Sequence, residues 1–129
     1  MKSFLTSLIA PAFGLILMFL PGCSKSPAEL AADSDANGYV CMKCGDKFYT
    51  ARKIFAEKCP KCGTIELREV IGFVCEKDQH VTLVPRGNDG TLCDQCKQIV
   101  KAMKLPREKE LQAWGARKET PEHVLLKKP

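Results

Sequence analysis

The chain has 129 residues, 8 cysteines and a formal net charge of +5, which leaves room for one ordinary domain or two very small ones. Residues 1–22 carry one lysine, Lys2, and no acid, so the remainder holds 19 Lys and Arg against 15 Asp and Glu. If thiolates hold two metal ions, that surplus falls further, and charge gives no argument for nucleic acid or an anionic surface as partner.

Met1 and Lys2 lead into FLTSLIAPAFGLILMFL, residues 4–20, an uncharged apolar run with the composition of an export signal. Pro11 and Gly14 interrupt it, and it is short for a helix that must cross roughly 30 Å of hydrocarbon. Leu20-Pro21-Gly22-Cys23 closes the run. This resembles the lipobox of bacterial lipoproteins, with Pro21 as a departure from the usual pattern. The resemblance implies a signal peptide over residues 1–22, lipidation of Cys23, and attachment to a membrane through more than one acyl chain. Ser24 after the cysteine implies the outer membrane or another periplasm-facing site. SKSPAELAADSDAN is small, polar and free of aromatics, and residues 23–37 are read as a disordered tether.

Beyond Cys23 stand Cys41, Cys44, Cys59, Cys62, Cys75, Cys93 and Cys96, an odd number that cannot all pair within the chain. Cys41, Cys59 and Cys62 recur 34 residues later as Cys75, Cys93 and Cys96. The same offset relates Gly38 to Gly72, Tyr39 to Phe73, Val40 to Val74, Lys43 to Lys77 and Arg52 to Arg86. The chain therefore contains a duplicated unit. Each unit is expected to begin with a short strand, turn at its first ligand pair and return by a second strand to the next pair. The residue after each knuckle often needs a positive φ, which suits Gly45 and Gly63 but not Gln79 and Lys97.

In the first unit two C-x-x-C pairs flank 14 residues, a spacing that can bring four sulfurs into one tetrahedron. YVCMKCG and EKCPKCG resemble the knuckles of zinc ribbons, and in particular the rubredoxin-like domains of rubrerythrins, with Phe48 and Pro60 at matching positions. The resemblance implies a small β-rich fold around one Zn or Fe ion held by Cys41, Cys44, Cys59 and Cys62. In the second unit Asp78 stands where a cysteine would be, and His80 follows two residues later. Three cysteines with one histidine form a common structural zinc set, so His80 is the expected fourth ligand beside Cys75, Cys93 and Cys96. Asp78 is the alternative, and a degenerate site without tight metal is a third reading.

The pairs lack the βαβ setting of a thioredoxin-type redox motif, and no histidine directly follows a second cysteine as c-type haem requires. Export to an oxidising compartment leaves disulfides open as a competing state.

IELREVIGFV, residues 65–74, reads as a strand running straight into the second unit, and PRGNDGT, 85–91, as a hairpin loop. KQIVKAMKL places Ile99, Val100 and Met103 at helical spacing, and Pro106 opens a helix through REKELQAWGARK, where Leu111 and Trp114 share a face. The final ETPEHVLLKKP reads as a solvated tail, His123 included.

The sequence thus predicts a small metal-stabilised β-rich fold of two tandem zinc-ribbon units, 38–71 and a degenerate 72–103, with a helix and tail over 104–129. No catalytic set is evident. The expected protein is a lipid-anchored, non-catalytic binding module with zinc at two sites, a protein partner of unspecified kind and no nucleic acid. The alternative is a rubredoxin-like electron carrier with iron at the first site.

Overall fold

The computed structural model describes residues 34–127. In chain order these form β1 (Ala36–Cys41), β2 (Lys47–Ala51), β3 (Leu67–Val74), β4 (Val81–Pro85), β5 (Thr91–Leu92), β6 (Ile99–Val100) and β7 (Ala102–Lys104). After them come α1 (Glu108–Ala113), β8 (Arg117–Lys118) and α2 (Pro121–Val124). The fold is small and β-rich with short helices. The expected signal peptide, the expected lipidation site Cys23 and the expected tether up to residue 33 lie outside the described residues. Among the described residues no helix is long and apolar enough to cross a membrane.

Tyr39 and Val40 give β1 its strand character, and β1 pairs antiparallel with β2 so that Tyr39 lies opposite Phe48. Their rings stack with centroids 5.4 Å apart, a cross-strand aromatic pair that fixes register as well as adding contact. The 34-residue offset reappears in the pairing. Phe73 faces Thr82 across β3 and β4 as Tyr39 faces Phe48, and Met103 of β7 faces Phe73 as Glu69 faces Tyr39. β3 is therefore shared. Its first residues, Leu67–Glu69, are the third strand beside β1, and its last, Gly72–Val74, are the first strand of the repeat. No linker separates the two units, which is why the apolar run around residue 70 is continuous.

The sheet follows the order β4-β3-β1-β2-β8, with β7 also on β3, while β5 and β6 form a separate ribbon. The expected helix over 97–105 is replaced by β6 and β7. Its supposed apolar face does not exist, since Val100 is buried while Ile99 is 74% and Met103 57% exposed. Strand pairing, of β6 with β5 and of β7 with β3, overrides the helical spacing. PRGNDGT is not a hairpin loop, because β4 pairs with β3 and β5 with β6.

Leu111 of α1 packs fully buried among Ala36, Tyr49, Val70, Leu83 and Ala116. Trp114 lies against the same cluster, with Lys47 Nζ 4.1 Å from its ring centroid. The described parts of two expected solvated segments belong to the fold. Ala36, assigned to the tether, is buried in β1, and Asp35 Oδ1 accepts the Glu108 N–H at the start of α1 at 2.7 Å. At the other end Val124 is fully buried with Tyr39 and Phe48. Its carbonyl accepts the N–H groups of Glu57 and Lys58 at 2.9 and 3.0 Å, so one turn of the tail both plugs the first core and pins the segment entering Cys59.

Candidate metal centres

Four tight turns present the cysteines, and all four share one hydrogen-bond pattern. The N–H of Gly45, Gly63, Gln79 and Lys97 donates to the carbonyl of the residue that opens each turn, Cys41, Cys59, Cys75 and Cys93, at 2.8–3.0 Å. The N–H of each opening cysteine in turn donates to the carbonyl of Asp46, Thr64, His80 or Gln98. Closing such a turn needs a left-handed residue. Gly45 and Gly63 supply it at φ 70° and 74°, and Gln79 and Lys97 adopt it at 58° and 59° despite their side chains. The repeat keeps the knuckle geometry where it has lost the glycines.

Cys41, Cys44, Cys59 and Cys62 converge in one cluster with their ligand atoms within 4.8 Å of one another. Cys41 Sγ lies 3.6 Å from Cys62 Sγ and Cys44 Sγ 3.7 Å from Cys59 Sγ. Four sulfurs at 2.3 Å from a central ion would stand about 3.8 Å apart, so the cluster fits a tetrahedral thiophilic ion. A disulfide, at about 2.05 Å, is not what these distances describe, and all seven cysteines among the described residues are free thiols.

The second cluster consists of Cys75, Asp78, Cys93 and Cys96. Cys75 and Cys96 sulfurs are 3.4 Å apart, and Asp78 oxygens lie 3.7 and 3.9 Å from Cys93 Sγ. Three soft donors and one carboxylate suit zinc, which accepts oxygen at 2.0–2.2 Å. The structure does not bring the expected His80 into this group. His80 uses its backbone carbonyl to close the first turn, and its ring faces Asp94 at 3.9 Å. Asp46, its counterpart 34 residues earlier, behaves the same way, closing its turn by the carbonyl while its carboxylate meets Arg117 at 2.8 Å. The offset itself held this information: the position after the left-handed residue points out of the knuckle in both units. His123 likewise faces Glu119, at 2.9 Å, and joins neither cluster.

Electrostatics differ between the opening cysteines. Burial raises the Cys41 thiol, but the N–H groups of Cys44 and Lys43 aimed at its sulfur outweigh this and hold it at about 7. At Cys75 the Asp78 N–H pulls downward, yet burial together with the Cys96 sulfur and the Asp78 carboxylate pushes the thiol up to about 11. Asp78 itself is lowered, chiefly by the His80 N–H that its carboxylate accepts at 2.9 Å. A cation placed among these groups would reverse the Cys75 penalty, since a bound metal is the largest local charge and deprotonates a coordinating thiol.

Comparison of the chain with protein-family models, with curated proteins and with solved structures finds no match.

Proposed function

We propose that this chain is an exported, lipid-anchored protein of the bacterial envelope, built from two tandem zinc ribbons that act as a rigid, non-catalytic binding module. Zinc is held by Cys41, Cys44, Cys59 and Cys62 in the first unit and by Cys75, Asp78, Cys93 and Cys96 in the second. The observation that carries the reading is the convergence of both four-residue groups at tetrahedral spacing on turns with one hydrogen-bond pattern. Four protein ligands leave no open coordination position, and thiolate donors make the ion a poor Lewis acid, both properties of a structural centre. Attachment rests on the Leu20–Cys23 segment of the sequence. Metal ligation accounts for the size of the protein, since a fold this small has a thin core and structural zinc supplies on the order of 10 kcal/mol of apparent binding free energy at neutral pH.

A second reading, electron transfer through iron at the first cluster, is favoured by one feature: Cys44 and Cys62 are exposed, so an ion there would have a solvent-facing edge. Metal analysis of protein purified from membranes separates the two. The expected result is two zinc ions per chain, no visible absorption, an acylated Cys23, and loss of the β-sheet circular dichroism on chelation. Red protein with one iron supports the second reading. Metal-free, oxidised protein that stays folded in chelator defeats both.

A further inference from the structure

The two units match in register but not in how firmly each is closed. In the first, the ladder between β1 and β3 extends to Cys41 opposite Leu67, and the Met42 N–H donates to the Glu66 carbonyl at 2.9 Å. In the second, the corresponding ladder between β3 and β7 stops at Val74 opposite Ala102. No backbone hydrogen bond joins Glu76 to Val100, the counterparts of Met42 and Glu66, and a cavity of about 480 Å³ opens there instead, with Cys75, Glu76, Lys77, Val100 and Lys101 among its walls.

The two cores are also filled differently. Val124 from α2 completes the first, leaving Glu66 on the surface. Among the described residues no part of the tail reaches the second, where Val100, the counterpart of Glu66, is buried with Ile71, Phe73, Cys75 and Cys93. The approach to Cys59 is clamped by the Val124 carbonyl, whereas the approach to Cys93 is held by the two-residue pairing of β5 with β6. Asp78 is a weaker donor to a thiophilic ion than the thiolate of Cys44. Its carboxylate also has a second partner in the His80 N–H, which keeps it satisfied when it leaves a metal.

From these differences we infer that the two centres divide the work. Cys41, Cys44, Cys59 and Cys62 hold a permanent ion, and Cys75, Asp78, Cys93 and Cys96 form an exchangeable site for a borderline divalent cation, zinc in the first instance. The inference rests on the reading that both clusters bind metal. Opening requires only the local release of Asp78 and the second knuckle, the kind of sub-global motion drawn from the least stable part of a fold, while the first unit stays intact.

The test is zinc release from the full chain loaded with two equivalents and challenged with excess chromogenic chelator, followed by native mass spectrometry and alkylation mapping. One equivalent should leave at least ~10-fold faster than the other, the lower end of the change that even an outer-shell partner of a metal ligand produces. The one-zinc species should keep its β-sheet circular dichroism and be alkylated at Cys75, Cys93 and Cys96. Asp78→Cys should slow the fast phase toward the slow one, and Asp78→Asn should quicken it or empty the second site alone. Release of both ions in a single phase, alkylation of the first-unit cysteines in the one-zinc species, or a fast phase that neither substitution alters would overturn the division of labour while leaving the two-zinc reading standing. A chain that binds no zinc defeats both.

Discussion

Gly38 of β1 lies directly against Leu111 of α1, so that a Cβ added at the glycine would overlap the leucine side chain. Its counterpart in the repeat, Gly72, is crowded in the same way, with Val81 Cγ1 2.8 Å from where a Cβ would sit. The duplicated glycines are thus kept by close approach, neither having a positive φ. Gly38→Ala and Gly72→Ala are each expected to destabilise the metal-loaded protein by about 1–3 kcal/mol, the usual cost of overpacking. Urea titration reads this directly. A midpoint unchanged in both variants would contradict the packing described.

Gln79 and Lys97 carry side chains at φ 58° and 59°, where their counterparts are glycines. A left-handed conformation costs a residue with a Cβ roughly 1–2 kcal/mol, partly offset in glycine by its greater unfolded-state freedom. Gln79→Gly and Lys97→Gly should therefore each stabilise the zinc-loaded form by up to ~1 kcal/mol, and Gly45→Gln should cost a similar amount. Loss of stability on introducing glycine at both positions would mean that the side chains make contacts outweighing the backbone strain.

Much of this arrangement is legible in the sequence, and the reasons it stops being legible are physical. The repeat, the first cluster, the burial of Leu111 and the continuity of the strand into the second unit follow from spacing and alternation. The β6–β7 segment does not, because Ile99, Val100 and Met103 satisfy a helical period by coincidence while pairing decides the matter, β6 with β5 nearby and β7 with β3, which is distant in sequence. The tail is similar: VLLKKP offers little composition to separate a plug from a solvated end, and Val124 is buried against Tyr39 and Phe48, which are distant in sequence. Three cysteines with a histidine are the commoner zinc set, which points to His80, whereas the backbone of the knuckle aims Asp78 at the cluster and the His80 ring at Asp94.

Substitution at His80 discriminates between the two candidate ligands of the second cluster. Its ring lies beside Asp94 and outside the second cluster, so His80→Ala should leave zinc at two per chain by mass spectrometry, with the backbone carbonyl still closing the turn. A drop to one ion in a folded His80→Ala protein would restore histidine as the ligand and remove Asp78 from that role.

Val124 supplies the remaining prediction. It is fully buried and anchors Glu57 and Lys58 through its carbonyl, so truncating its side chain empties part of the first core while leaving every cysteine in place. Burial of a valine contributes roughly 1.5–3 kcal/mol, and the cavity left behind adds to the loss; Val124→Ala should cost about 2 kcal/mol in urea titration. Ending the chain after Thr120 goes further, since it also frees the two N–H groups leading into Cys59. If the tail is what makes the first centre permanent, that truncation should accelerate loss of the slowly released zinc and bring the two release phases closer together. A truncated protein whose slow phase keeps its rate would show that the four thiolates alone confer the permanence, with the tail serving stability only.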